Sequence, residues 1–343
     1  MDGSNKQNGG HGLSIALSKR IDETLVPLIA GRSEQICIID PPGHPNVGDS
    51  AIFLGELAFL RRNAPRARLD FFDVDNYTPA CDRFIRDSST IMLHGGGNFG
   101  EIWPRHHALR LDILRRFPGK PIVQFPQSVS FTTQAGIDAT ARAIEQQGNF
   151  TLLVRDRNSQ AFAEKHFPCT TILCPDMAFA LGDIERAPAT LDFLCLLRQD
   201  KEVAADHSKL LQVVAELGGS HDVADWIARS DSGTERWDRM LAKMWRRFPG
   251  SVGLTRSLAF RLRERHARER LAFGVGLLSK GSMVITDRLH AHILCCLLGV
   301  RHLLFDSLDG KVSALYEAWT KGAKDARLVG SIDELAGMVH GLR

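Results

Sequence analysis

Short apolar runs alternate with helical patterns along most of this chain, and this alternation predicts parallel β-sheets flanked by helices. In the first half we interpret six runs as strands: Ile36–Asp40, Leu69–Val74, Thr90–His94, Pro121–Phe125, Thr151–Arg155 and Thr171–Cys174. A second series begins at residues 191–197 and continues with Ser282–Thr286 and His302–Phe305. The sequence therefore predicts an α/β protein with two sheets.

The segment between the two series, residues 182–190, is interrupted by Ala and Pro and is the candidate linker. We expect residues 203–278 to be mainly helical, and residues 312–319 and 332–342 to form terminal helices. The predicted divisions are a polar, glycine-rich tail (1–12), an N-terminal domain (13–185), a C-terminal domain (190–315) and C-terminal helices (316–343). No internal repeat is evident.

Composition narrows the class of protein without choosing a substrate. The chain has 343 residues, 44% hydrophobic and 24% charged, and a net charge of +3 that gives no reason to expect nucleic-acid binding. No apolar run is long enough to span a bilayer, and the polar start does not resemble an export signal. The seven cysteines form no CxxC pair, which predicts reduced, buried thiols in a cytoplasmic protein and no zinc or other metal site.

The strand at Ser282–Thr286 ends directly in Asp287 and Arg288, with His290 two residues later. Side chains at the carboxyl ends of parallel strands point into the crevice where ligands bind. Arginine beside histidine suits a doubly charged anion such as a phosphorylated acid. The alternative is structural, with Asp287 capping the next helix and the histidine packed in a core.

Two glycine-containing segments also follow predicted strands. Residues 42–52 read as a turn into a helix, and residues 94–103 place glycines where free helix amides could hold an anion. Gly95, Gly97 and Gly100 satisfy G-x-G-x-x-G, but the acidic residue that a dinucleotide site needs is replaced by glutamines around Pro121–Val129. A turn that only packs helix against strand remains the alternative.

Taken in order, five blocks resemble the polysaccharide pyruvyl transferase family. They are Gly43, Asn46, Gly48 and Asp49; His94–Asn98; Val154–Asp156 followed by Ser159; Cys174–Phe179; and Thr286–His290. The resemblance implies two Rossmann-like doubly wound domains facing a cleft, as in GT-B glycosyltransferases. It also implies transfer of pyruvate from phosphoenolpyruvate, as donor substrate rather than cofactor, to two sugar hydroxyls as a cyclic ketal, with release of phosphate.

Phosphoenolpyruvate carries a carboxylate and a phosphate, and the planar fork of arginine can bind either group through two hydrogen bonds. We therefore predict that one arginine from each domain, Arg155 and Arg288, binds the donor. His290 and the glycine block, as Gly96, Gly97 and Asn98, complete the predicted donor site. Salt bridges within or between domains are the alternative for the two arginines.

Ketal formation requires an acid for the methylene carbon and a base for each hydroxyl, and Asp49 and His290 are the candidates for these roles. His94 is either an auxiliary contact or a packed residue. For acceptor binding we predict Trp103, which could stack on a sugar face, and Asn46, which could hydrogen-bond to hydroxyls. Packing for Trp103 and turn stabilisation for Asn46 are the alternatives.

Residues 246–270 carry eight arginines against two glutamates, interleaved with leucines and a phenylalanine. Such a helix suits an anionic membrane surface and a lipid-diphosphate-linked oligosaccharide acceptor, whereas a helix face packed on its own domain is the alternative. We expect a cytoplasmic enzyme, peripheral at the inner face of the cytoplasmic membrane. Two other functions are a GT-B-type glycosyltransferase using a nucleotide sugar and a non-catalytic polysaccharide-assembly protein.

Overall fold

The computed structural model describes residues 8–198, 207–226 and 233–342. The first half contains α1 (Asn8–Ile29), β1 (Gln35–Ile39), α2 (Val47–Asn63), β2 (Arg68–Phe72), α3 (Asp82–Asp87), β3 (Thr90–Leu93), β4 (Gly96–Gly100), α4 (Pro104–Arg116), β5 (Ile122–Ser130), α5 (Gln134–Gln147), β6 (Phe150–Val154), α6 (Arg157–His166) and β7 (Thr170–Leu173). A 3₁₀ segment, Met177–Leu181, follows β7.

The second half contains β8 (Leu191–Leu196), α7 (His207–Glu216), β9 (His221–Ala224), α8 (Gly233–Arg247), α9 (Val252–Ser279), β10 (Gly281–Thr286), α10 (Leu289–Leu298), β11 (Arg301–Leu304), α11 (Lys311–Leu315), β12 (Ala326–Leu328) and α12 (Leu335–Leu342). A π-helical turn, Tyr316–Thr320, extends α11. Among the described helices, none combines the length and apolarity needed to cross a membrane.

All strand pairs in the first sheet are parallel, in the order β2-β1-β3-β5-β6-β7, with β4 paired to β5. The strand order reverses between β1 and β3, and ligands of doubly wound sheets bind beside such a reversal. The loops that leave these two strands begin at Asp40 and His94. The fold thus brings the two glycine-containing segments side by side.

The second sheet is also parallel, in the order β12-β11-β10-β8-β9. Its order reverses between β8 and β10, and Asp287 and Arg288 directly follow β10. The predicted fold class is confirmed, since two parallel sheets with flanking helices form a GT-B-like pair of Rossmann-like units. Residues 182–190 contain no helix or strand and connect the two sheets.

All six strands predicted in the first half are present, within a few residues. Three expectations need correction. Residues 8–12 belong to α1 rather than to a flexible tail, while residues 1–7 lie outside the described part of the chain. The glycine block forms β4 instead of a tight turn into a helix. The predicted helices at 312–319 and 332–342 are both present, but the division 316–343 is not wholly helical, because the short strand β12 lies between them.

The glycine block becomes a strand because its backbone lies against β5. A methyl group at Gly100 would fall 1.9 Å from the carbonyl oxygen of Ser130, and Gly100 has φ +126°. Only glycine fits there without strain. The next helix, α4, starts four residues later at Pro104, so its amides do not follow the glycines directly.

The basic segment 246–270 is not one amphipathic helix, because α8 ends at Arg247 and α9 begins at Val252. Three of its arginines turn inward. Arg256 pairs with Asp70, Arg263 pairs with Asp73 and Asp238, and Arg270 donates to the carbonyl oxygens of Gly43 and His44. Much of the positive charge therefore binds α9 to the first sheet.

Candidate active site

Arg155, Asp176 and His290 form one group between the two sheets. Arg155 directly follows β6, and its Nη1 lies 2.7 Å from Oδ2 of Asp176. Nε2 of His290, in the first turn of α10, lies 3.5 Å from the same oxygen. Burial alone would raise the pKa of Asp176, but His290 and Arg155 outweigh it and lower that pKa. An ionised carboxylate thus orients two predicted donor-binding residues.

A second cation joins this group at the glycine block. A methyl group at Gly97 would lie 3.2 Å from Nη2 of Arg155 and 3.9 Å from Nζ of Lys311. Lys311, the first residue of α11, also pairs with Asp309. Only a glycine lets Arg155 come this close to the backbone, and the two cations therefore converge on Gly97, where an anion could contact both.

The loop after β1 approaches the same group from the first sheet. A methyl group at Gly48 would fall 2.4 Å from Nδ1 of His290, so the start of α2 touches the imidazole. Asp49 is the next residue, and its Oδ1 would lie 3.7 Å from a methyl group at Gly96. The structure therefore brings together both predicted catalytic residues, Asp49 and His290, and the predicted donor residues Gly96 and Gly97.

Two histidine–carboxylate pairs line the outer part of this loop. Nε2 of His44 lies 2.7 Å from Oδ2 of Asp49, and Nδ1 of His106 lies 2.8 Å from Oδ2 of Asp40. The centroids of the two imidazole rings are 6.4 Å apart. Asp40 has φ +67°, a strained conformation for a non-glycine residue, and such strain clusters at functional sites.

His94 lies deeper, at the end of β3. Its Nδ1 is 2.9–3.0 Å from the carboxylate of Glu56 on α2, which also accepts from the amide of Gly95. Burial alone would lower the pKa of His94, but Glu56 outweighs it and raises that pKa. With His94 only 3% exposed, the geometry favours the packed alternative over an auxiliary ligand contact.

Arg288 is held differently from Arg155. Its Nη2 lies 2.6–2.7 Å from the carboxylate of Asp225, after β9. Asp287 does not cap α10, because its carboxylate accepts from the amide of Arg198 and lies 3.0 Å from Nε2 of His207. Donor binding by Arg288 stays a prediction, and it requires Asp225 to share this arginine with the ligand.

The two predicted asparagine contacts have structural partners. Oδ1 of Asn46 accepts from the amide of Gly48 and caps α2. Oδ1 of Asn98 accepts from Arg110 and Gln127. Trp103, at the start of α4, is 48% exposed and lies one helical turn from His106. Of the residues predicted to bind the acceptor, Trp103 is therefore better placed than Asn46.

Among the described residues, one group has the spacing of a metal site: His292, Cys296 and His302. Nδ1 of His302 donates to the carbonyl of Val300, so its Nε2 can only accept. This Nε2 lies 2.8 Å from Nδ1 of His292, a normal hydrogen-bond length, and Nε2 of His292 lies 2.7 Å from Oγ1 of Thr320. Both imidazoles are thus satisfied without an ion.

Two described cavities, each about 500 Å³, lie at the amino ends of strands, one beside Asp192 and Arg301 and the other beside Phe150 and Thr170. The charged groups described above gather at the carboxyl ends. Ligands of doubly wound sheets bind at the carboxyl ends, so we place the active site there.

Sequence reasoning missed several residues of this region, which lie in the loops after strands or on the helices that follow them. They are Asp40, His44, Glu56, His106, Asp176, Asp225 and Lys311. His44 and Asp176 lie inside two of the quoted blocks, so their position was a usable signal. Lys311 follows Asp309 and Gly310 in the turn after β11, where only the folded chain shows that it faces Gly97.

The sequence profile described as polysaccharide pyruvyl transferase matches residues 46–309. The chain is 31% identical over 304 residues to Pyruvyl transferase 1 of Schizosaccharomyces pombe, covering 84% of this chain and 70% of that protein. It is 29% identical to the putative pyruvyl transferase EpsO of Bacillus subtilis, covering 92% of this chain and 94% of that protein.

The fold is similar to the crystal structure of an uncharacterized protein from Klebsiella pneumoniae, with a TM-score of 0.59 and 17% identity over 91% of this chain and 99% of that chain. At this identity the likeness concerns the fold alone. The matched profile spans the loop at Asn46, the glycine block, Arg155 and the segment Arg288–His290. The chain therefore belongs to the polysaccharide pyruvyl transferase family and is a pyruvyltransferase.

Proposed function

We propose that this enzyme transfers pyruvate from phosphoenolpyruvate to two hydroxyls of a sugar, forming a cyclic ketal and releasing phosphate. The convergence of Arg155 and Lys311 over Gly97, beside His290, carries this proposal. The donor has a phosphate and a carboxylate, and two cations that converge beside an imidazole complement both groups.

The proposed reaction adds one proton to the donor's methylene carbon and removes one proton from each of two sugar hydroxyls. A proton added to the methylene carbon makes C2 electrophilic, a sugar hydroxyl adds there, and phosphate leaves with the electrons of the C2–O bond. The neighbouring hydroxyl then closes the ring at C2. Of the two protons lost by the hydroxyls, one balances the new methyl group and one leaves on hydrogen phosphate. His290, whose partner Asp176 also pairs with Arg155, is the residue we propose as the acid.

We further propose that neither a nucleotide nor a divalent metal is required. Where a dinucleotide site has a ribose-binding acid, this chain has Gln124, which donates to the carbonyl oxygens of Leu93, His94 and Phe125. Gln124 is buried, and its three hydrogen bonds support a role in holding the glycine block. Arg155 and Lys311, which pair with Asp176 and Asp309, are the cations that we propose to stabilise the phosphate in place of a metal.

The acceptor side of the site is more open. His44 has a side chain that is 50% exposed, and Trp103 is exposed one turn from His106. An open, aromatic edge fits a sugar that extends beyond the site. We therefore propose that the acceptor is a sugar unit of a polysaccharide precursor, in particular a lipid-diphosphate-linked oligosaccharide.

The test incubates the protein with phosphoenolpyruvate and candidate lipid-linked oligosaccharides. Mass spectrometry should show the acceptor gaining one pyruvate less one water, with an equal amount of phosphate released. Chelator should leave the rate unchanged, and Arg155→Ala should abolish it at low donor concentration. A product that gains a sugar from a nucleotide sugar would instead establish glycosyl transfer, and no reaction with any donor would favour a non-catalytic assembly protein.

We also propose that the protein works at the cytoplasmic face of the membrane, docked through the hairpin of α8 and α9. Phe248, in the connection between these helices, is 62% exposed, and Leu254, in the first turn of α9, is 88% exposed. Arg247, Arg261 and Arg265 are exposed on the same two helices. Apolar side chains beside arginines suit a bilayer that contains anionic lipid, because both the interface and the headgroup charge contribute to binding.

Vesicle sedimentation tests this location. Binding should require anionic lipid and should fall in Arg247→Glu/Arg261→Glu and in Leu254→Ser. Arg142→Glu, on the exposed face of α5, reverses one surface charge outside the hairpin and is the control for a single charge reversal. Equal binding of all these proteins, or none by the wild type, would mean that the hairpin has no membrane role.

A further inference from the structure

His44 and Asp49 form a pair with the geometry of an oriented base. Nε2 of His44 lies 2.7 Å from Oδ2 of Asp49, while its side chain is half exposed. Burial alone would raise the pKa of Asp49, but the hydrogen bond and charge of His44, with the charges of His290 and His94, lower it. Because the carboxylate accepts, Nε2 of His44 carries the hydrogen of this bond, and Nδ1 is the ring nitrogen left to take a proton from a substrate.

The backbone around His44 is fixed by two buried arginines of α9. Arg263 donates to the carbonyl oxygen of Pro41, and Arg270 donates to those of Gly43 and His44. Arg263 is itself fixed by two carboxylates, at 2.7 and 2.8 Å. The imidazole is therefore exposed but held on a restrained loop, as a group acting on a bulky substrate needs.

His44 and His290 both lie near Asp49, because His44 bonds to its carboxylate and His290 contacts the adjacent Gly48. The side chain of His290 is 14% exposed and that of His44 is 50% exposed. A small donor reaches the buried histidine beside Arg155, whereas a sugar can approach only the exposed one. His106 is the competing candidate on this edge, but it is less exposed than His44 and pairs with Asp40 instead of Asp49.

We propose that His44 is the catalytic base that removes the proton from each attacking sugar hydroxyl, and that Asp49 is its positioning residue. This inference rests on the proposed pyruvyl transfer. As the hydroxyl oxygen bonds to C2, its O–H bond breaks and the proton moves to Nδ1 of His44. His290 protonates the methylene carbon, whose π electrons form the new C–H bond. His44 removes two protons in all. One replaces the proton that His290 gave to the methylene carbon, and the other leaves on hydrogen phosphate.

The experiment compares His44→Gln, Asp49→Asn and a control, His221→Gln, at an exposed site on β9. Phosphoenolpyruvate binding is measured by thermal stabilisation, and phosphate release is measured with saturating donor and acceptor across pH. We expect His44→Gln to keep donor affinity within about threefold while turnover falls roughly 100- to 10,000-fold. His221→Gln should match the wild type.

Asp49→Asn tests the pH dependence of turnover, which should not change if His44 and Asp49 have only a structural role. His44 is faced by Asp49 on α2, by His106 on α4 and by Arg270 on α9. Removing the carboxylate destabilises the imidazolium, so the acidic limb of the turnover profile should move to lower pH. If His44→Gln keeps wild-type turnover, or this limb stays in place, the inference is overturned. A wild type that neither binds nor cleaves phosphoenolpyruvate rejects the proposed function, and this inference with it.

Discussion

The imidazole of His290 lies directly against Gly48, so that a methyl group on Gly48 would fall 2.4 Å from Nδ1. This contact joins the loop after β1 of the first sheet to the helix after β10 of the second. The contact requires that residue 48 has no side chain. A substitution at Gly48 therefore tests whether this contact between the two halves is needed for activity.

Gly48→Ala should reduce turnover strongly, because its methyl group would displace the imidazole of His290 and would also lie 2.8 Å from Cβ of His290. Its loss of stability should be smaller than that of Gly55→Ala, since the imidazole can rotate and alanine favours the helix. The methyl group of Gly55→Ala would lie 1.9 Å from the backbone oxygen of Met177, which cannot move away cheaply, so we expect a loss of roughly 1–3 kcal/mol or more. Urea unfolding and phosphate release measure both. Equal effects of the two substitutions on stability would contradict this distinction.

Arg155→Ala and Arg288→Ala should each weaken phosphoenolpyruvate binding by about 1.5–3 kcal/mol, because each removes a charge-assisted contact. Lysine should rescue poorly, since an ammonium cannot reproduce the planar fork. Titration calorimetry measures the affinity, with the exposed Arg142→Ala as control. A variant with normal activity at low donor concentration would return that arginine to a purely structural salt bridge, with Asp176 or Asp225.

His290→Gln should lower turnover at saturating donor by roughly two to four orders of magnitude, because the amide can hydrogen-bond but cannot deliver a proton. Steady-state phosphate release separates this effect from a change in donor affinity. Weaker donor binding with near-normal saturated turnover would show that His290 only holds the phosphate.

The buried pair of His94 and Glu56 should make stability depend on pH. The folded-state pKa of His94 is raised, so this contribution is complete below the unfolded pKa of about 6.5 and is lost as pH rises through the folded pKa. Glu56→Gln should lower the free energy of unfolding by roughly 1–3 kcal/mol at about pH 6 and remove much of this dependence. Urea titrations of the wild type and Glu56→Gln at about pH 6 and about pH 9 measure this contribution. A difference in free energy of unfolding between the two proteins that is larger at about pH 9 than at about pH 6 would contradict the prediction.

The sequence by itself determined the alternation of strands and helices and placed Asp49, Arg155, Arg288 and His290 in the segments that follow strands. These features are local, since apolar periodicity and the residues that follow a strand can be read within a short window. The same local evidence could not identify β4, because glycines usually mark turns and this strand forms only through pairing with β5.

Only the tertiary structure decided which polar residues share a site. Asp176 lies between Arg155 and His290, Lys311 faces Gly97, and Arg270 holds the carbonyl of His44. Each contact joins residues far apart in the chain, whose proximity depends on strand order and on the packing of α9. The sequence supplied charged residues after the strands, and the packing of the two sheets determined which of these residues are in contact.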